Sequence, residues 1–257
     1  MFIDTHVHLN SERYDDLDKI IKNAYDNDVK IMIVSGYNKL SSLKAVDIAN
    51  RYKGVYASVG LHPSDCKDET DLELSWLKQI IKDKKVVAIG EIGLDYYWDK
   101  TFIDLQKDMF LKQIDIAKTA NLPIVVHSRD ANLDTWNILS NNIVKGVLHC
   151  YSGSLEMAKD YVKLGYYLGI GGVLTFQNSK ILKKVVEEID LSSLVSETDA
   201  PYLTPHPFRG KINYPEYVKY IVEEIAKIKK ITIEETKNTI KKNAENLFNI
   251  GGLWEKL

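Results

Sequence analysis

Eight short apolar runs, each about as long as one β-strand, recur along this chain from end to end. They read FIDTHVHL from Phe2, KIMIVSG from Lys30, VYASVG from Val55, VVAIGEIGLD from Val86, PIVVHS from Pro123, GVLHCYSG from Gly146, YYLGIGG from Tyr166 and LVSETDAP from Leu194. Between them apolar residues fall three and four apart, as in Leu17, Ile20, Ile21 and Ala24, or Leu105, Met109, Phe110, Ile114 and Ala117. That spacing gives a helix one buried stripe. Strands apolar on both faces need cover on both, which alternating helices supply around a parallel sheet. Eight such units predict an α/β fold closed into a (β/α)8 TIM barrel, with a doubly wound open sheet as the rival. At 257 residues, the span 1–257 is expected to form a single domain. Two further helices are predicted after the last strand, from about Glu216 to Lys229 and from about Ile233 to Phe248, and Asn178 is placed as the N-cap of the helix before Leu194.

Composition excludes several classes of function. The net charge is -2 and the pI about 6.3, so there is no broad basic surface for gripping duplex nucleic acid, and any phosphate attraction must be local. Cys66 and Cys150 are too few and too far apart for a disulfide framework or a thiolate metal site. No apolar run reaches membrane-spanning length and the N-terminus lacks a basic and apolar leader, so a cytoplasmic protein with no membrane contact and no obligate protein partner is expected.

Metal-ligand residue types interrupt these runs at their C-terminal ends, which is the catalytic face of a barrel. His6 and His8 stand two apart on the first strand, so alternation sends both to one side, and Asp4 with them. Glu91 follows VVAIG, where an isolated carboxylate is costly to bury; a cation, or a salt bridge to Arg or Lys, would offset that cost. His127 closes PIVVHS, His149 follows GVL, and Asp199 comes just after the last run. Taken singly, each histidine reads as a satisfied core residue and Asp199 as a turn residue. Five of the six histidines, His6, His8, His62, His127 and His149, nevertheless fall at or just after strands, while His206 reads as a loop residue. The six donors His6, His8, Glu91, His127, His149 and Asp199 exceed what one tetrahedral ion takes while keeping an open position, so two divalent ions are expected, with Glu91 bridging them. No lysine ends the fourth strand, which argues against a carbamate bridge. Cys150, next to His149, is expected by alternation to face the helices and not to ligate.

The motifs DTHVHL, GLHP, GEIGLDYY, HSRDA, HCYSG and ETDAPYL, from Asp4 to Leu203, give the chain a resemblance to the TatD-type metal-dependent deoxyribonucleases of the amidohydrolase superfamily, nearly end to end. The resemblance implies a (β/α)8 barrel, one metal on His6, His8, Glu91 and Asp199, and another on Glu91, His127 and His149. It also implies hydrolysis of nucleic-acid phosphodiesters, typically trimming a single-stranded 3′ end. The chain departs from the family pattern at RGKINYP, where Ile212 precedes Asn213 and Lys211 is left as the basic contact.

The expected reaction is a 3′-5′ exonuclease attack on single-stranded DNA, or RNA, by water activated between two divalent ions, Mg, Mn or Zn. Asp199 is expected to accept that water's proton and to return it to the leaving oxygen. Arg129, His62, Arg209 and Lys211 are the candidate phosphate donors, with a structural pair to Asp130 as the ordinary reading of Arg129. Tyr96, with Tyr97, is the candidate stacking face for a base, or else rim packing. The same cluster would also serve an ester, lactone or aminoacyl-tRNA deacylase, since activated water attacks carbon as well as phosphorus. A purely structural metal site fits less well, because such sites are closed and poor in carboxylates.

Overall fold

The sheet is parallel throughout and its strand order is the order of the sequence, β1 to β8, as the repeating units require. A computed structural model describes residues 1–251; the last six residues of the expected domain lie outside the described residues. The strands are β1 (Phe2–Val7), β2 (Val29–Ser35), β3 (Val55–Val59), β4 (Val86–Asp95), β5 (Ile124–Arg129), β6 (Gly146–Leu148), β7 (Tyr167–Ile170) and β8 (Leu194–Ser196). Helices α1 (Leu17–Asp26), α2 (Lys39–Arg51), α3 (Ser75–Ile80), α4 (Ile103–Ala120), α5 (Asn132–Asn141), α6 (Leu155–Lys163), α7 (Lys180–Glu188) and α8 (Val218–Lys229) follow the strands in turn, and α9 (Ile233–Phe248) ends the fold. The architecture is the (β/α)8 barrel; the open doubly wound sheet is not formed.

Closure between β8 and β1 uses side chains where the ladder is short. Thr5 Oγ1 donates to the Ser196 carbonyl at 3.1 Å, and Ser196 Oγ donates to the Ile3 carbonyl at 2.9 Å. The main-chain pairing then runs beyond β8: the Asp199 amide donates to the His6 carbonyl at 3.0 Å, and the His8 amide to the Ala200 carbonyl at 2.8 Å. The seam that closes the barrel therefore lays Asp199 alongside the two histidines of β1.

Two cores hold the sheet. One is the layer between strands and helices, where Met32, Val34, Ile89, Phe110, Ile114 and Leu168 are buried. The other fills the barrel, with Ile3, Ile31, Ile33, Val125, Val147 and Val195 stacked against Ala244, Leu247 and Phe248 of α9 and Ile250 beyond it. The hydrophobic end of α9 thus takes up the apolar end of the barrel interior, while the polar residues gather at the other, C-terminal mouth.

Local details differ from the periodicity reading. The helix predicted from about Glu216 begins at Val218, after a 3₁₀ turn at Pro215–Tyr217 that opens on a proline, a residue suited to a helix start because it lacks the N–H that would go unpaired there. Asn178 is not the cap of α7; Ser179 occupies that position and makes no side-chain cap bond. Among the described residues no helix is long and apolar enough to cross a membrane.

Candidate metal centre

Two irregularities in the sheet aim the ligands. Between Asp4 and Val7 the register against β2 shifts, since Asp4 pairs with Met32 and Val7 with Val34, so β1 carries one extra residue there. His6 and His8, on either side of Val7, reach the same centre, as alternation predicts. Asp4 does not join them: the extra residue puts it out of phase, and its carboxylate accepts from the Thr198 amide and hydroxyl instead. Strand β4 has the same device, with Ile89 opposite Ile124 and Ile92 opposite Val126, and Glu91 lies inside that shift with its amide donating to the Gly36 carbonyl at 2.9 Å.

The six expected donors converge. The Nε2 atoms of His6 and His8 are 3.2 Å apart. Glu91 divides its two oxygens: Oε2 lies 3.5 Å from His6 Nε2 and 3.9 Å from His8 Nε2, while Oε1 lies 2.8 Å from His127 Nδ1 and 3.7 Å from His149 Nε2. Asp199 Oδ1 stands 3.3 Å from His8 Nε2, 3.7 Å from His6 Nε2 and 4.0 Å from His149 Nε2. Asp199 itself has a left-handed backbone, φ 55°, which Asp tolerates better than most residues. The groups His6, His8, Glu91 and Glu91, His127, His149 each lie close enough to share an ion.

Each ring's second nitrogen is held from behind, which fixes the nitrogen presented to the centre. Ser35, at the end of β2, serves two rings: its carbonyl accepts from His8 Nδ1 at 3.1 Å and its hydroxyl meets His6 Nδ1 at 3.1 Å. His127 Nε2 bonds Asp95 Oδ2 at 2.9 Å, leaving Nδ1 inward, and His149 Nδ1 sits 2.9 Å from Glu197 Oε1, leaving Nε2 inward. Close packing makes these placements possible. A Cβ on Gly93, whose φ is 141°, would come within 2.0 Å of the His127 carbonyl, and one on Gly169 within 2.4 Å of Glu197 Oε2. Ser35, Asp95 and Glu197 were not singled out from sequence as site residues. The last two lie inside the GEIGLDYY and ETDAPYL motifs, where a carboxylate on an apolar strand was the available signal.

The donor set fits divalent metal. Glu91 has only histidines among its ion-pair partners, so no salt bridge to Arg or Lys accounts for it among the described residues. Burial, opposed by the surrounding imidazoles and foremost His149, leaves the Glu91 carboxyl well below its usual range and therefore ionised. Burial and then His149 lower His6, which suits a neutral ligand. Burial also disfavours charge on His149, yet Glu197 and Glu91 outweigh it and raise this group to about 10, so the carboxylates demand positive charge at this point. Buried imidazole and carboxylate of this kind, open on one side to a cavity of about 420 Å³, suit a catalytic rather than a closed structural site.

His62 lines that cavity beside Glu91 Oε1, at 3.7 Å. Its Nδ1 accepts from the Ser64 amide at 3.1 Å, so the neutral ring carries its hydrogen on Nε2. Burial and then His127 push its pKa down to about 3, which keeps it neutral. His62, Asp95 and His127 lie close enough together to hold a further ion, but this tautomer makes His62 a donor and not a ligand. Arg129 also lines the cavity, two residues beyond His127 on the same face of β5. Among the described residues it has no carboxylate partner, Asp130 included; its guanidinium lies 3.8 Å over the Tyr97 ring.

Three sequence expectations land elsewhere. Tyr96 is 9% exposed and its hydroxyl bonds Asp134 at 2.8 Å, so it packs the rim and offers no stacking face, while Tyr97 and Trp98 are the exposed rings. Arg209 and Lys211 are exposed in the loop after β8 but do not line the cavity, and Arg209 lies 3.9 Å over Phe176. Cys150 follows a strand that has already ended at Leu148 and has φ 45°, so alternation does not govern it. Its thiol lies within 4.8 Å of ligand atoms of His149 and Glu197, with burial raising its pKa well above the usual value.

The family model for TatD-related DNases matches residues 3–249. A Bacillus subtilis protein named as the uncharacterized metal-dependent hydrolase YabD is 46% identical over 254 residues, covering 97% of this chain and all of that one. Escherichia coli YcfH, named in the same way, is 34% identical over 96% of each chain. The crystal structure of Escherichia coli YjjV, a TatD homologue, superposes with a TM-score of 0.92 at 31% identity, covering 96% of this chain and 98% of that one. With a matching fold, a metal-fitting centre at the barrel mouth and these likenesses along its length, the chain belongs to the TatD-related DNase family and is a metal-dependent hydrolase.

Proposed function

We propose that this hydrolase cleaves phosphodiesters at the 3′ end of single-stranded nucleic acid. The observation that carries the reading is Arg129, a cation at the cavity wall with no carboxylate partner among the described residues, backed by Tyr97 and placed to meet a phosphate. Two divalent ions, Mg, Mn or Zn, would be held here, one by His6, His8, Glu91 and Asp199 and one by Glu91, His127 and His149. Bound there, divalent metal supplies Lewis-acid stabilisation for in-line displacement at phosphorus.

The chain's own residues do the rest. Asp199 accepts a proton from the attacking water and returns it to the leaving oxygen, which fits its position beside His8 and His6 at the open side of the cluster. His62 donates its Nε2 hydrogen to a phosphoryl oxygen as a neutral group, and Arg129 holds the same phosphate by charge. Arg209 and Lys211 lie further out, where they meet the strand beyond the cleaved linkage. The two free cysteines suit a reducing cytoplasm.

The test is to strip the metal, restore Mg, Mn or Zn in turn, and assay an end-labelled single-stranded oligonucleotide beside an aryl ester and an aminoacyl-tRNA. Arg129→Ala and His62→Ala are expected to weaken oligonucleotide cleavage while sparing the neutral ester. Metal-dependent hydrolysis of the ester or the aminoacyl-tRNA, with no phosphodiester cleavage under any metal, would sink the nuclease reading in favour of a deacylase.

A further inference from the structure

We propose that Trp98 is a stacking platform for an unpaired base of the substrate, set beside the arginine that holds its phosphate. This rests on the phosphodiesterase reading above and narrows it to strands whose end bases are free. Trp98 lines the cavity yet is 70% exposed, and Tyr97 next to it is 53% exposed. The two rings meet edge to face, 4.9 Å between centroids and 88° between planes. Packing against the protein interior does not account for an indole left this far in water, whereas a flat apolar ligand would cover it.

The platform is tied to the metal centre. Asp95 Oδ1 accepts from the amides of Tyr97, at 2.9 Å, and Trp98, at 3.3 Å, while Oδ2 of the same carboxylate holds His127. Arg129 completes the unit, 3.8 Å over Tyr97 and 5.4 Å from the Trp98 ring centre, so its guanidinium is oriented by the rings with its donors left for an anion. Phosphate donor and aromatic face are thus neighbours, as adjoining phosphate and base are in a nucleotide. The other side of the cavity repeats the pattern, with Arg13 lying 4.9 Å over Tyr202. A base inside a duplex already has its faces covered by its neighbours, so the platform selects an unpaired end and tolerates any base, since every base has a flat face.

The test compares two short single-stranded oligonucleotides, one natural and one whose last two 3′ nucleotides are abasic, by KM and kcat for 3′ trimming. Wild-type enzyme is expected to bind the natural end roughly 5- to 150-fold better, the worth of one base on one aromatic ring. That ratio is expected to fall toward one in Trp98→Ala and to lie between in Trp98→Phe, with melting temperatures confirming that both variants fold. An undiminished ratio in Trp98→Ala, or wild-type enzyme indifferent to the missing bases, overturns the platform while leaving the nuclease reading intact. Wild-type enzyme that trims neither oligonucleotide overturns the nuclease reading, and the platform with it.

Discussion

Asp95→Asn separates what a metal ligand does from what holds it. The carboxylate is 2% exposed, and its main chain is clamped by Gln106, which accepts from the Asp95 amide at 2.9 Å and donates to its carbonyl at 3.0 Å. Burial alone would raise this carboxyl, but His127 and the amides of Tyr97 and Trp98 outweigh it and hold it below its usual range. Asparagine fits the same space, and both of its orientations fail. With its oxygen on the two amides, its NH₂ faces His127 Nε2, forcing the hydrogen onto Nδ1, the nitrogen that faces Glu91. With the amide flipped, NH₂ confronts two backbone donors, each costing about 1 to 3 kcal/mol if left unpaired. The first orientation is therefore favoured, and its consequence falls on metal affinity. Loss of such an orienting partner weakens a site about 10- to 100-fold, or roughly 1.4 to 2.7 kcal/mol. Calorimetric titration of the metal-stripped protein with Mn²⁺ is expected to show this loss at one of two sites, with the metal-free melting temperature nearly unchanged. Affinity within twofold of wild type would refute the claim that the Asp95–His127 contact sets the tautomer.

Asp199→Asn is expected to fold normally and to lose at least about 100-fold in kcat, the lower range for a general acid–base group, as read from single-turnover cleavage. Chelation should lower the melting temperature: at a metal concentration 100 times Kd the linkage is about 2.7 kcal/mol, or roughly 5 to 11 °C for a chain of this size, seen by calorimetry before and after EDTA. Phe248→Ala, under the barrel and remote from the mouth, is expected to cost about 3 to 5 kcal/mol in urea unfolding while leaving kcat unchanged; a change in kcat would show that the floor and the mouth are coupled.

Much of this was legible in the chain, because the signals are local. Short continuous apolar runs and the period-3.6 spacing between them placed strands and helices in the right order, and eight repeats pointed to the barrel and its C-terminal mouth. The six converging donors were visible because histidine and carboxylate are out of place at the ends of apolar runs. Alternation worked for His6 with His8 and for His127 with Arg129. It failed for Asp4, where β1 gains a residue, and for Cys150, where β6 has ended. Of the two rings offered as a stacking face, Tyr97 is exposed and Tyr96 is buried, and the exposed Trp98 was not singled out, because the turn that follows Asp95 obeys hydrogen bonding and not a period.

The sequence by itself therefore determined the barrel, its working face and which residue types meet there. Only the tertiary structure decided how they meet: which oxygen of Glu91 faces which histidines, which nitrogen each ring presents, and that Ser35, Asp95 and Glu197 stand behind them. The reason is physical. Periodicity reports the side of a strand on which a residue lies, through interactions a few residues long. Ring orientation and tautomer are set by partners 27 to 48 residues away, from Ser35 behind His8 to Glu197 behind His149, brought within hydrogen-bond distance only when the barrel closes.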